Sequence, residues 1–171
     1  MDALYDLFPD YARDLKLNLQ NVLKQAELTE QQTWGTAVAT AIASRNKEIT
    51  DLVTAEAAKH LTAEAMNAAK AAAAIMGMNN IYYRFQHLSG NEKYAQIPAR
   101  LRMQAIRSHG SDPIDFELWC VAVSAINGCG VCVHSHENVL RGKGVTEETI
   151  VAAVRIASVM HATATIFDAV P

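Results

Sequence analysis

Two cysteines and a histidine are spaced so that one helix would bring them together. Cys129 and Cys132 are three residues apart, and His136 follows four residues after Cys132. Residues at these spacings lie on one face of an α-helix. Cys129 would then lie near the helix N-terminus, where the positive end of the helix dipole favours a thiolate. The pattern favours dithiol–disulfide chemistry, in which a nearby base activates one of the two sulfurs.

Two other interpretations of the cysteine pair stay open. The pair could be half of a zinc site completed by His134 and His136, although His134 points away from the face that His136 shares with the cysteines. The thiols could also pack in a core, as isolated cysteines usually do. Redox chemistry leads because a close cysteine pair in a reducing compartment is more often catalytic or metal-binding than structural.

His136 and Glu117 are the candidate proton-handling residues. His136 has the best helical position to exchange a proton with Cys132, and histidine titrates near neutral pH; the alternative is a surface histidine. Glu117 stands in an apolar run, 116–123, so it is either exposed in a first helical turn or buried with a partner. A buried carboxylate could act as a base or relay. Cys120, in the same run, is expected to be a buried small hydrophobic residue.

The composition predicts a single domain, 1–171, without nucleic-acid or membrane partners. Half of the 171 residues are hydrophobic, 19% are charged, and the formal net charge is −3, which argues against a nucleic-acid groove or an anionic membrane surface. The sequence contains no run of about 18 consecutive apolar residues, so we expect no membrane-spanning helix. The N-terminus carries early acidic residues instead of a signal pattern, so we expect a cytoplasmic protein.

Apolar periodicity and helix-capping residues predict the elements that hold these side chains. Thr29 with Gln32 matches a capping box, Asp112 followed by Pro113 is typical of a helix start, and Thr146 is a further candidate cap. No strand pattern occurs, so the predicted fold class is all-α. The predicted helices are 10–23, 29–42, 47–59, 62–76, 78–88, 101–106, 112–126, the cysteine helix to 141, and 146–169, with Gly77 as an interruption and 89–98 as a connector.

One internal similarity predicts two related helical halves, approximately 1–90 and 91–171. The stretch 74–78 resembles 125–129, which pairs Gly77 with Gly128 and Met78 with Cys129. Chance similarity between alanine-rich helices is the alternative. Met76 and Met78 themselves are expected to pack in the core rather than to bind a ligand.

Several stretches resemble one known family. They are 116–119, 122–129, Cys132 and 136–137 around the candidate site, and 11–19, 34–36 and 72–80 elsewhere. Together they resemble the AhpD family of alkyl hydroperoxide reductases, part of the carboxymuconolactone-decarboxylase-like superfamily. The resemblance covers nearly the whole chain. It implies an all-α subunit of two helical lobes that assembles as a homotrimer.

The resemblance also implies a lipoyl-dependent peroxidase with a C-x-x-C centre and no bound cofactor or metal. Cys132 matches the peroxidatic cysteine, which attacks a hydroperoxide and becomes a sulfenic acid. Cys129 matches the resolving cysteine, the more accessible of the two, which closes the disulfide. Glu117 and His136 match the proton relay that activates Cys132. The implied reductant is a lipoyl group of a 2-oxo-acid dehydrogenase component, and the implied second partner is the peroxiredoxin AhpC.

One position departs from the family pattern, and two rival functions remain. Val131 stands directly before the second cysteine, where the family often has a histidine, and its apolar side chain cannot donate a proton. One rival is a decarboxylase of the same superfamily, which would have no use for a C-x-x-C pair. The other is a non-enzymatic helical oligomer whose cysteines form a redox-sensing switch, which would be oxidised without turning over peroxide.

Overall fold

The computed structural model describes residues 1–169, apart from the side chains of Asp2 and Ala3. No strand occurs in this range, which confirms the predicted all-α class. Three 3₁₀ turns, at Asp10–Ala12, Glu92–Gln96 and Gln104–Ile106, join the longer elements. The α-helices are α1 (Asp2–Tyr5), α2 (Arg13–Val22), α3 (Glu30–Ala43), α4 (Lys47–Ala57), α5 (Ala63–Leu88), α6 (Pro113–Ile126), α7 (Gly130–Gly142) and α8 (Glu147–Ala169).

Helices α3, α5, α6 and α8 form the centre of the molecule. Helix α3 packs against α5, α6 and α8, and α6 packs against α5, α7 and α8. Small side chains let these helices approach closely: Gly35 of α3 lies directly against the indole ring of Trp119 in α6. The helices of the two sequence halves are therefore packed together in one shared core.

Capping side chains explain where the helices begin. Thr29 forms the predicted capping box with Gln32, and the Asp112 carboxylate accepts from the backbone N–H of Ile114 at 2.7 Å, with Pro113 at the first helical position. Thr146 accepts from the backbone N–H of the residue three positions on, at 3.2 Å. These three predicted caps are confirmed.

The capping pattern repeats between the two halves. Thr29 and Asn46, the caps of α3 and α4, are 17 residues apart, and so are Asp112 and Cys129, the caps of α6 and α7. The residue before the second cap has a positive φ in both halves, 64° at residue 45 and 65° at residue 128. The α3–α4 pair thus corresponds to the α6–α7 pair.

This correspondence corrects the register predicted from the sequence. Gly77 lies inside the continuous helix α5, whereas Gly128 lies in the turn between α6 and α7, so the two glycines are not equivalent. The structural counterpart of Cys129 is Asn46, and that of Cys132 is Ile49. The predicted pairing of Met78 with Cys129 is therefore wrong, because it matched similar letters in different local structures.

Two helix boundaries also differ from the prediction. Gly77 does not interrupt α5, because the residues around it are buried against neighbouring helices and this packing outweighs the lower helix propensity of glycine. The predicted helix 101–106 is only a 3₁₀ turn at Gln104–Ile106, with no fully buried residue to stabilise a longer helix.

Helix α8 is long and apolar enough to cross a membrane by length and composition, and within residues 1–169 it alone meets that test. Half of the apolar stretch is buried inside the fold, and Ile156 and Met160 are completely inaccessible to solvent. A core helix meets the same test, and the contacts of α8 with α2, α3 and α6 account for its apolar composition.

Candidate active site

The cysteine pair lies at the junction between α6 and α7. Gly128, with φ of 65°, lets the chain turn sharply after α6, and the backbone N–H of Cys129 donates to the Ser124 carbonyl at 3.1 Å. Cys129 is the N-cap of α7, and its sulfur accepts from the backbone N–H of Cys132 at 3.3 Å. The structure therefore places Cys129 at a helix N-terminus, as its position in the sequence predicts.

Cys129 and Cys132 form a disulfide, with their Cα atoms 5.3 Å apart. Both are buried, with exposed fractions of 0% for Cys129 and 5% for Cys132. The resemblance implied that Cys129 is the more accessible cysteine, and that expectation is wrong, because Cys132 is the more exposed of the two. The reason is geometric: Cys129 is tucked into the turn between the helices, whereas Cys132, within the first turn of α7, borders a pocket.

Glu117 and His136 are joined by a short hydrogen bond. Helix α7 packs back along α6, and this brings Glu117 Oε2 to 2.6 Å from His136 Nδ1. Both side chains are largely buried, with exposed fractions of 15% and 12%. The Glu117 carboxylate fixes the orientation of the ring at Nδ1, so that the other ring nitrogen, Nε2, faces the sulfur of Met76.

His136 and Cys132 border the same pocket, whose volume is about 360 Å³. Its wall is mainly apolar and sulfur-containing, and Val131, which is 44% exposed, contributes to it. The pocket is the place where a small molecule would meet the cysteine and the histidine together. It is lined by Met76, Asn79, Tyr83, Met103, Ile106, Val131, Cys132, Ser135 and His136.

A chain of hydrogen-bond contacts runs from His136 to the turn 127–129 between α6 and α7, called the cysteine turn below. His136 Nε2 lies 3.2 Å from Met76 Sδ, which also accepts from the Ser124 hydroxyl at 3.4 Å. Asn80 donates to Ser124 Oγ at 2.9 Å and accepts from Asn127 at 2.9 Å. Asn127 caps the end of α6, two residues before Cys129. The contacts connect the position of His136 with that of the turn.

The remaining cysteine and histidine candidates lie apart from this chemistry. Cys120 is fully buried, as predicted, and burial, assisted by the charge of Glu117, raises the pKa of its thiol well above the ordinary value. It therefore stays protonated and unreactive. His134 is exposed and hydrogen-bonds to Asn138. Within the described residues, no cluster of three or more His, Cys, Asp or Glu side chains could hold a metal ion.

Sequence reasoning missed most of the pocket wall. Met76 is buried in the core, as predicted, but the contact of its sulfur with His136 was not predicted. Asn79 gave a usable signal, because a polar residue stands there in an apolar stretch of α5 and is buried. Met103 and Ile106 gave none, since they belong to an irregular segment that reaches the pocket only through tertiary packing.

Comparisons with known proteins give consistent similarities. Residues 92–171 match the model of the "Carboxymuconolactone decarboxylase family". The chain is 66% identical to "Alkyl hydroperoxide reductase AhpD" of Solibacter usitatus over 98% of this chain and 95% of that protein. It is 57% identical to the protein of the same name from Acidobacterium capsulatum, covering 99% and 93%, and 52% identical to that from Brucella abortus, covering 99% and 97%.

Proposed function

The chain belongs to the alkyl hydroperoxide reductases named AhpD, within the carboxymuconolactone decarboxylase family, and from this we propose that it is a thiol peroxidase that reduces organic hydroperoxides. One observation carries the proposal: Cys132 borders an apolar pocket together with His136, whose ring is held by Glu117 at 2.6 Å. Thiolate attack on a peroxide needs a nucleophilic sulfur, a proton for the departing oxygen and a second thiol, and the site offers all three.

In the proposed oxidative half-reaction, His136 takes the thiol proton of Cys132. The Cys132 thiolate attacks the terminal oxygen of the hydroperoxide, so that a sulfur–oxygen bond forms and the oxygen–oxygen bond breaks. The electron pair leaves on an alkoxide, which takes the proton from His136 to become an alcohol. Glu117 stabilises the charged histidine between these two proton transfers.

In the proposed second stage, the Cys129 thiol condenses with the Cys132 sulfenic acid, releasing water and leaving the disulfide. A dihydrolipoyl group then reduces that disulfide through a mixed disulfide and is itself oxidised to the cyclic disulfide. We propose that the group is supplied by a lipoylated 2-oxo-acid dehydrogenase component, and that the peroxiredoxin AhpC is a second redox partner. The protein itself holds no cofactor in this scheme, and we place it in the cytoplasm.

We also propose that the subunit assembles as a homotrimer. Ile81, Phe85 and Leu88 lie at helical spacing on one side of α5, and each is more than half exposed in the single subunit. An apolar surface of this kind favours burial against another subunit. Sedimentation equilibrium tests this assembly, and a monomer at micromolar concentration would contradict it.

The test of the proposed activity is consumption of cumene hydroperoxide by the purified protein with dihydrolipoamide as reductant. We expect multiple turnovers per subunit. A redox-sensing switch would be oxidised once and then stop, and a decarboxylase would leave the peroxide untouched. Either of these results would contradict the proposed peroxidase.

The Cys129→Ser variant is expected to stop the cycle at the sulfenic acid. Serine cannot form a disulfide, so Cys132 would be oxidised by one equivalent of hydroperoxide and then remain as the sulfenic acid. The measurement is trapping with dimedone, read by mass spectrometry as one adduct per subunit at Cys132. An adduct at another cysteine, or none, would count against the assigned order of attack.

The Val131→His variant tests whether a proton donor beside Cys132 limits the rate. Val131 is 44% exposed and borders the pocket, so an imidazole fits there without entering the core. We expect kcat to rise about threefold to tenfold, which is less than the roughly 10²–10⁴-fold that one positioned acid–base group can contribute, because His136 already serves the same sulfur in the proposed reaction. Val131→Leu is the matched control, since it changes the size but adds no proton donor. Equal rates in the two variants would show that the relay does not need a group at this position.

A further inference from the structure

Arg84 binds the turn between α6 and α7 from the neighbouring helix α5. The Nη1 atom of its guanidinium donates a hydrogen bond to the backbone carbonyl of Asn127, the C-cap of α6. The residue is half-buried, and this bond is the one hydrogen bond of its side chain among residues 1–169. No carboxylate in that range forms an ion pair with the guanidinium, so its positive charge is not neutralised by a neighbour.

Helix α5 holds Asn127 at a second point. Asn80, one helical turn before Arg84, accepts a hydrogen bond from the side chain of Asn127 at 2.9 Å. Both the backbone and the side chain of Asn127 are therefore fixed to α5. Cys129 follows two residues later, so the Cα atoms of Asn127 and Cys129 are at most about 7.6 Å apart. The Arg84 guanidinium is thus held beside the cysteine turn.

The opening of the disulfide places a negative charge in this turn. In the proposed reduction, a dihydrolipoyl thiolate bonds to the sulfur of Cys132, the residue of the pair that borders the pocket, and the bond between the two cysteine sulfurs breaks. The electron pair stays on Cys129 Sγ, which becomes a thiolate. Cys129 is fully buried, and a buried charge is costly unless a partner compensates it.

The backbone supplies part of this compensation. The N–H group of Cys132 donates to Cys129 Sγ at 3.3 Å, at the positive end of the α7 dipole. An N–H group carries only a partial charge, whereas the Arg84 guanidinium carries a full one throughout the physiological pH range. Because the guanidinium is partly buried, salt screens its charge less than that of an exposed residue.

We propose that Arg84 is a positioning residue that fixes the cysteine turn, and that its positive charge stabilises the Cys129 thiolate released when the disulfide opens. The inference rests on the proposed dithiol cycle and adds to it a residue that sets the reduction potential of the cysteine pair. A stabilised thiolate favours the reduced form, so Arg84 makes the disulfide easier for a dihydrolipoyl group to reduce. The same charge keeps Cys129 in the form that attacks the Cys132 sulfenic acid.

The experiment measures the reduction potential of the cysteine pair at equilibrium in mixtures of lipoamide and dihydrolipoamide. Arg84→Gln replaces the cation with a neutral amide donor, and Arg84→Lys keeps the charge on a different donor. Lys70→Gln is the control, because it removes a positive charge from an exposed position of α5 about 21 Å from Arg84 along the helix axis. Alkylation of the free thiols and mass spectrometry give the fraction of reduced protein.

We expect Arg84→Gln to shift this equilibrium about tenfold toward the disulfide, which corresponds to about 30 mV for a two-electron couple. Arg84→Lys should stay close to the wild type because the charge remains, and Lys70→Gln should match the wild type. Circular dichroism would show that the helices of each variant are intact. Should the glutamine variant not fold, Arg84→Met removes the same charge from a side chain that still packs against α5.

The second measurement identifies the sulfur on which the charge acts. In protein that carries Cys132→Ser, the Cys129 thiol is the one of the pair that titrates. Adding Arg84→Gln should raise the pKa of Cys129, since the cation that favours its thiolate is lost. The pH titration is followed by the ultraviolet absorbance of the thiolate. The other titratable groups of the site, Glu117 of α6 and His136 of α7, are the same in both proteins.

Two results would overturn the role of Arg84. One is a reduction potential of the Arg84→Gln protein equal to that of the Lys70→Gln control. The other is an equal shift in the glutamine and lysine variants, which would mean that the geometry of the turn, and not the charge, sets the potential. Failure of the proposed function would look different: the pair would exchange with dihydrolipoamide and depend on Arg84, but the protein would not consume cumene hydroperoxide.

Discussion

The Cys132→Ser variant is expected to lose peroxide turnover, with the rate falling by about three orders of magnitude or more, to the background level. A serine hydroxyl stays protonated at neutral pH and is a poor nucleophile toward the peroxide oxygen. No other thiol can take over. Cys129 lies within the turn and is fully buried, and Cys120 is held in its protonated form by burial. The measurement is steady-state consumption of cumene hydroperoxide with saturating dihydrolipoamide.

The control for this variant is Cys120→Ala, which removes the buried thiol that lies outside the cysteine pair and leaves no unpaired hydroxyl. Because Cys120 does not border the pocket, this protein should keep most of the wild-type turnover. Circular dichroism would show that the helices of both variants are intact. Normal activity in the Cys132→Ser protein would rule out Cys132 as the attacking sulfur.

The largest expected effect on stability comes from Gly35→Ala. Gly35 lies in α3 against the Trp119 indole, and an added Cβ would come closer to the ring atoms than any real packing contact allows. Trp119 is completely buried in α6, so the ring cannot swing out into solvent without disrupting the core. The two helices would have to separate. We expect the free energy of unfolding to fall by about 3 kcal/mol and the melting temperature by about 6–12 °C.

Gly77→Ala provides the comparison, since it makes the same substitution inside α5. A Cβ at Gly77 meets no atom within 4 Å, so the change should stabilise the helix by up to about 1 kcal/mol. Thermal unfolding followed by circular dichroism distinguishes the two glycines. Should the Gly35→Ala protein melt at the wild-type temperature, the close approach of α3 and α6 would not be needed for stability.

Local signals in the sequence predicted much of the fold. The starts of α3 and α6 could be identified because Thr29 and Asp112 bind backbone groups only two or three residues away. The errors arose where distant packing decides the outcome. Gly77 has a low helix propensity, but the burial of its neighbours keeps α5 continuous. The segment 101–106 has apolar residues, but its 3₁₀ turn has no fully buried residue, so packing does not stabilise a longer helix there.

The residues of the candidate site also fall into two groups, those that local spacing predicted and those that only tertiary packing brings to the site. Helical spacing was enough to group Cys132 with His136, because both lie on α7. Spacing alone left the position of Glu117 open, and only the packing of α7 along α6 brings its carboxylate to His136. Asn79 and Met103 reach the pocket from other segments, and no local pattern could place them there. The cysteine turn could therefore be predicted, whereas the shape of the pocket could not.

The two copies of the repeated capping pattern use different side chains for the same hydrogen bond. Asn46 Oδ1 accepts from the Ile49 N–H at 2.9 Å, the same bond that the Cys129 sulfur makes with Cys132. Ile49, however, is fully buried. The Met1 amino group also donates a hydrogen bond to Glu56 of α4. Sulfur therefore occupies the capping position in the α6–α7 pair and not in the corresponding α3–α4 pair. The other copy carries an amide and an isoleucine at these two positions, so it contributes packing and stability in place of sulfur chemistry.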